Sequence, residues 1–150
     1  MRLAGGQLST SLMDRVGLRV PSAIGDPLAT SFAADVSADA LIDTGSTVSF
    51  ARLDFLTRLN APIVGRCESK LSTLGLTGEQ PDRYAIRIHF PQCARLPHIV
   101  WPVLGVAMGE QLPDIVLGLD FIRNVRLSIS SSDDAWSILA DANRWEIIAA

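Results

Sequence analysis

Cysteine, lysine and histidine are nearly missing from this chain: 150 residues hold two, one and two of them. Cys67 and Cys93 alone make no disulfide framework, so they read as free thiols in a reducing compartment. Basic charge is carried almost wholly by twelve arginines, set singly from Arg2 to Arg144, and the formal net charge is -3. With no basic block and no interleaving of basic and aromatic residues, nucleic acid is not an expected partner. The longest apolar run, Ile99 to Met108, is interrupted by Pro102 and Gly105 and is too short to span a bilayer. The stretch from Met1 to Gln7 lacks the apolar centre of a signal peptide, and Asp14 and Arg15 soon interrupt the residues after it. These absences predict a soluble, cytoplasmic protein with no membrane partner. His89, His98, Cys67 and Cys93 match no compact metal knuckle, and His89 falls opposite the apolar side of a strand, so no metal and no cofactor is expected. With no histidines besides these two, His-based nucleophilic catalysis is not the expected chemistry.

What the chain does have is apolar residues, 48% of the total, enough for one domain over residues 1–150 with a core that needs no staple. Residues 1–15 are patterned weakly, as a flexible arm or an edge element. A short strand is expected over Gly17–Pro21, then a loop from Ser22 to Thr30. Phe32–Val36 and Ala40–Ile42 are expected to pair as a hairpin around Ser37–Asp39. Phe50, Leu53, Phe55, Leu56 and Leu59 recur at helical spacing and predict a helix over Arg52–Leu59, with Ser49 as its cap and Asn60-Ala61-Pro62 as its stop. Tyr84, Ile86, Ile88 and Phe90 alternate with Ala85, Arg87 and His89, the clearest strand signal present. Further strands are expected at His98–Leu104, with Pro102 marking an edge, at Asp114–Gly118 and at Val125–Ile129. A brief helix is expected at Leu119–Asn124, and Trp136–Leu139 should pair with Trp145–Ile148. The whole reads as all-β, mostly antiparallel, with one or two short helices.

The most informative stretch is Asp43-Thr44-Gly45-Ser46, entered from apolar Ala40-Leu41-Ile42. The apolar residues anchor the strand, so the carboxylate at its end is held rigidly. Gly45 lets another backbone approach, and Thr44 and Ser46 bring hydroxyls. One ionised carboxylate cannot act as general acid and general base at once. Two within hydrogen-bond reach can share a proton, because repulsion of like charges keeps one of them neutral. Such a pair titrates as a unit, one member activating water while the other protonates a carbonyl oxygen. The motif occurs once in the chain, and a twofold axis is the simplest source of its partner.

Ile42-Asp43-Thr44-Gly45-Ser46 resembles the active-site motif of aspartic peptidases, in particular the single-domain, homodimeric retropepsin-like type. Ile115-Val116-Leu117-Gly118-Leu119-Asp120-Phe121 is similar to that family's second marker, an apolar pair and a glycine ahead of a short helix. The resemblance covers roughly residues 30–130 and implies a retropepsin-like closed barrel whose two copies share one cleft. It implies Asp43 as the catalytic residue, Thr44 as a brace between the two motif loops, and Gly45 as a point of close packing. Ser46, where several retroviral members have alanine, implies a more acidic optimum. Gly75, Leu76, Thr77 and Gly78 stand where a flap would cover substrate, and Val116 and Leu117 where the cleft has its wall. Asp120 reads as a helix-start or ion-pair residue rather than a second catalyst. The expected function is therefore an aspartic endopeptidase acting on peptide or protein substrates as a homodimer. The alternative is a noncatalytic dimerisation or peptide-binding module of the same fold, and a third possibility is a monomeric β-domain in which Asp43 caps a turn.

Overall fold

Strand alternation builds the protein around one apolar interior. The computed structural model describes residues 5–7, 18–67, 80–91, 98–130, 135–140 and 147–148, with side chains described between residues 19 and 125. In chain order the elements are β1 (Gly5–Gln7), β2 (Leu18–Gly25), β3 (Val36–Ile42), β4 (Phe50–Arg52), α1 (Leu53–Arg58), β5 (Ile63–Arg66) and β6 (Asp82–His89). The remainder are β7 (His98–Val106), β8 (Ile115–Leu117), α2 (Leu119–Ile122), β9 (Val125–Ser130), β10 (Ala135–Ala140) and β11 (Ile147–Ile148).

Six strands close on themselves in the order β7-β4-β8-β3-β2-β6, with β6 returning to β7. Four of these pairings are antiparallel, whereas β3 with β8 and β4 with β7 run parallel. Closure removes the free edges that an open sheet of this size would present. β5 extends the sheet beyond β6, β11 lies against β7, and β1, β10 and β9 form a separate three-stranded sheet.

Val20, Ile24, Ala40, Ile86, Ile88, Ile115, Leu117 and Phe121 are fully buried in the main core. Each large aliphatic side chain removed from water in this way contributes about 1.5–3 kcal/mol. A second cluster, made of Phe50, Cys67, Leu104, Val106 and Val116, fills the far side of β4 and β8. Tyr84 to Phe90 behave as their alternation predicts, with Ile86, Ile88 and Phe90 sealed. On the opposite face Arg87 is sealed as well.

Several elements differ from expectation. β3 runs unbroken from Val36 to Ile42, so no hairpin turns at Ser37–Asp39. Ser37 and Asp39 point outward between buried Ala38, Ala40 and Ile42, and Asp39 is answered by Arg19 rather than by a turn. The hairpin is instead β2 with β3, and Ser22–Gly25 belong to strand β2 rather than to a loop. Pro21 is tolerated inside β2 because β6 reaches only Ala23 to Gly25, leaving Pro21 paired on the β3 side alone. Pro102 of β7 occupies a similar gap, between the reach of β11 at His98–Ile99 and of β4 at Leu104–Val106.

Helix α1 starts one residue later than expected, because Phe50 to Arg52 form strand β4. It has no side-chain cap, and Ser49 is engaged elsewhere. Leu56 and Leu59 anchor the helix, whereas Leu53 is exposed. Asn60 ends the turn with φ of 52°, the left-handed conformation that asparagine tolerates. β11 pairs with β7 and β10 with β9 and β1, so the two terminal segments do not pair with each other as expected.

Candidate active site

Asp43 leaves the end of β3 beside the end of β8, where Ile42 is in register with Leu117. Its N–H donates to the Leu117 carbonyl at 3.0 Å, prolonging the parallel pairing by one step and fixing the direction of the turn. The Asp43 carboxylate is half-buried and accepts the Gly45 N–H at Oδ1, 2.8 Å away. No hydrogen bond reaches its Oδ2 among the described residues. A Cβ on residue 45 would lie 3.1 Å from Oδ1, so glycine leaves the carboxylate unpressed. Thr44 and Gly45 are exposed at the tip of the turn.

Two segments distant in sequence grip this turn. The Leu119 N–H donates to the Ser46 carbonyl at 2.7 Å, and the Asp120 N–H to the Thr47 carbonyl at 3.3 Å. The Asp120 carboxylate receives the Ser49 N–H at 3.0 Å and the Ser49 hydroxyl at 2.6 Å. That hydroxyl in turn accepts the Gly118 N–H at 3.0 Å, and Asp120 Oδ1 also takes the Phe121 N–H at 2.8 Å. A methyl group on Gly118 would meet the carbonyl oxygens of Val48 at 2.5 Å and Ser46 at 2.7 Å. Glycine is needed there for close approach of two backbones, not for an unusual torsion. Asp120 thus fastens α2 to the Asp43 loop, and Ser49 is its counterpart rather than a helix cap.

Ser46 is tied to its own loop. Its single hydroxyl hydrogen goes to the Val48 carbonyl at 2.7 Å, so within one chain it is not donated to Asp43. Val116 and Leu117 are 3% and 0% exposed and face the apolar interior of their own chain, so they carry the loop from beneath. Gly75, Leu76, Thr77 and Gly78 lie outside the described residues. The arms leading toward them, β5 and β6, pair antiparallel with a register shift between Ile63 and Gly65.

A further anchor lies at the opposite, N-terminal end of β8. Asp114 accepts the Asp39 N–H at 2.9 Å and Arg52 Nε at 3.0 Å, while Arg52 also donates to the carbonyls of Met108, Gly109 and Leu112. This ties the 107–114 loop to the start of α1. The open groove beside it, lined by Leu53, Thr57, Arg58, Met108 and Glu110 among others, does not include the Asp43 turn. Nothing local in the sequence announces Ser49, Arg52, Asp114 or Asp120 as site-building residues, because each finds its partner tens of residues away.

No family model matches this sequence, and no curated protein does. Solved structures do resemble it. Aspartic proteinase from Irpex lacteus aligns over 93% of this chain with a TM-score of 0.54 at 13% identity, and the chain spans 47% of that protein's length. The fold is the aspartic-proteinase fold. The protease of simian foamy virus (mac) aligns over 71% of this chain and 92% of its own, with a TM-score of 0.46 and 15% identity. The retroviral protease-like domain of Ddi1 from Leishmania major aligns over 88% and 91%, with a TM-score of 0.47 and 15% identity. In this fold the observed pieces are a closed six-stranded mixed barrel, two short helices and an aspartate turn clasped by the segment after β8.

Proposed function

We propose that this chain is an aspartic endopeptidase that works as a homodimer, with the two Asp43 carboxylates sharing one proton across a twofold axis. The observation that carries this reading is the Asp43 turn itself: a half-exposed carboxylate, braced at one oxygen by Gly45 and without a described partner at the other. Each chain supplies half of an acid–base pair, and one chain is about half the length of the Irpex lacteus proteinase. Thr44 is exposed at the tip of the turn, as a contact between two copies requires.

In the proposed reaction the ionised member takes a proton from water, the water oxygen attacks the peptide carbonyl carbon, and the protonated member gives its proton to the carbonyl oxygen. Collapse of the tetrahedral species breaks the C–N bond as a proton passes to the leaving amine. The hydrogen bonds from Asp120, Ser49 and Leu119 supply the rigidity this geometry requires, because sub-ångström placement of two carboxylates governs their coupling.

Asp43→Asn tests the reading against its rival. Wild type should cleave peptides with apolar residues at the scissile bond, whereas the variant should sediment as the same dimer without measurable hydrolysis. Retained hydrolysis in the variant, or cleavage by a species monomeric at every concentration, would overturn it. A wild-type dimer that binds peptides and never cuts them would instead favour the noncatalytic module.

A further inference from the structure

Residues 26–35, between β2 and β3, fold back over the face of β6 turned away from the main core. The segment is locally ordered: the Leu28 N–H is held by the Asp26 carboxylate at 2.9 Å and the Asp35 N–H by the Phe32 carbonyl at 3.1 Å. Arg87 fastens it from below. Its guanidinium pairs with Asp35, donates to the carbonyls of Ala29 at 3.0 Å and Ser31 at 3.4 Å, and lies 4.2 Å from the Phe32 ring centre. Gly25, the register partner of Arg87 on β2, leaves the room this ion pair occupies, since a Cβ there would overlap the Asp35 carboxylate.

The other side of Phe32 is the unusual part. Its ring stacks on His98 with centres 4.0 Å apart, and His98 stacks on His89 at 4.2 Å with planes only 3° from parallel. Arg87, Phe32, His98 and His89 thus form one continuous column. His98 is 8% exposed, and its Nδ1 has no hydrogen-bond partner among the described residues. Among the described residues, the charged and titratable groups facing it are His89 and Arg87 from β6 and Asp35 from the segment itself. β11 pairs with β7 here, Ile148 being the register partner of His98.

We propose that residues 26–35 form an acid-released strap, shut while His98 is neutral and freed when His98 takes up a proton. An imidazolium in this column would sit in a largely buried site against a parallel ring and near a permanent guanidinium, with Asp35 as the one carboxylate facing it among the described residues. The column can relieve that charge by parting at Phe32, which lets water reach His98. Burial, followed by His89 and Arg87, holds His98 below its ordinary value of 6.5, and Asp35 opposes them only in part. The neutral, closed arrangement is therefore favoured at neutral pH. The strap would respond independently of whether Asp43 is catalytic.

Amide hydrogen exchange read by mass spectrometry at pH 7.5 and pH 5.0, corrected for the intrinsic pH dependence of exchange, tests this on the intact protein. Protection over 26–35 should fall about tenfold more than protection over β3 on acidification. His98→Phe keeps an aromatic ring in the column and should abolish most of that difference, with His98→Gln as the substitute should the phenylalanine variant not fold. Asp35→Asn should leave the strap unprotected at both pH values. Equal protection of strap and β3 changes in wild type, an undiminished acid response without His98, or a protected strap in Asp35→Asn would each overturn the proposal.

Discussion

Ser49 and Asp120, 71 residues apart, are joined by two hydrogen bonds, from the Ser49 N–H at 3.0 Å and from its hydroxyl at 2.6 Å. This pair fastens the loop that carries Asp43 to the helix that comes after β8. Ser49 is 1% exposed, so removing its hydroxyl leaves the Gly118 N–H without its acceptor and Asp120 Oδ1 with the Phe121 N–H alone. Ser49→Ala should cost about 1–3 kcal/mol of stability in urea denaturation, the range for a buried polar group left unsatisfied. Ser49→Thr, which keeps the hydroxyl, should cost less. An unchanged midpoint for the alanine variant would show that the fastening contributes nothing.

Gly118 has no room for a methyl group, because its neighbours there are the backbone carbonyls of Val48 and Ser46, which cannot swing aside like a side chain. Gly118→Ala should destabilise the protein by about 1–3 kcal/mol, the usual cost of overpacking. In the proposed enzyme it should also depress kcat more than KM, since it displaces the Asp43 turn rather than a binding surface. Wild-type thermal stability together with wild-type kcat would contradict this account of the loop.

Thr44 is exposed at the tip of the turn and makes no side-chain hydrogen bond among the described residues. If it braces the proposed dimer, Thr44→Val should weaken self-association while leaving the fold of each chain intact. Sedimentation equilibrium would show a dissociation constant raised about tenfold or more, equivalent to about 1.4 kcal/mol. Identical self-association of the two proteins would remove Thr44 from the interface.

The lowered value of His98 has a definite sign for stability. Once unfolded, His98 takes up its proton as pH falls through 6.5, whereas in the folded chain it does so only at lower pH. The unfolded chain therefore binds more protons in that window, and this contribution is fully present above 6.5 and lost as pH falls below it. Urea midpoints should drop between pH 7 and pH 5 by more in wild type than in His98→Phe. Equal drops would assign the acid sensitivity to other groups.

The parts legible in the sequence were those whose physics is local. Tyr84 to Phe90 alternate because one face of a single strand meets the core, and Asn60 stops a helix through its own backbone preference. The Asp43 turn was legible because apolar residues, acid and glycine stand side by side. The misplaced hairpin over 31–42 has the opposite origin. Asp39 looks like a turn residue until Arg19, remote in sequence, is seen to pair with it. The burial of Arg87 likewise depends on remote residues, Gly25 and the strap, which cover it completely. Ser49 looked like a cap because it precedes a helix, but its hydroxyl serves a different one.

The parallel pairing of β3 with β8 has a consequence for how the protein is made. Ile42 meets Leu117 and Ser49 meets Asp120, so the carboxylate turn has no scaffold until residues 115–120 have left the ribosome. A nascent or truncated chain ending before β8 would carry Asp43 on an unsupported loop. In the proposed enzyme, hydrolysis would therefore have to wait until residues 115–120 are made and folded against the Asp43 turn.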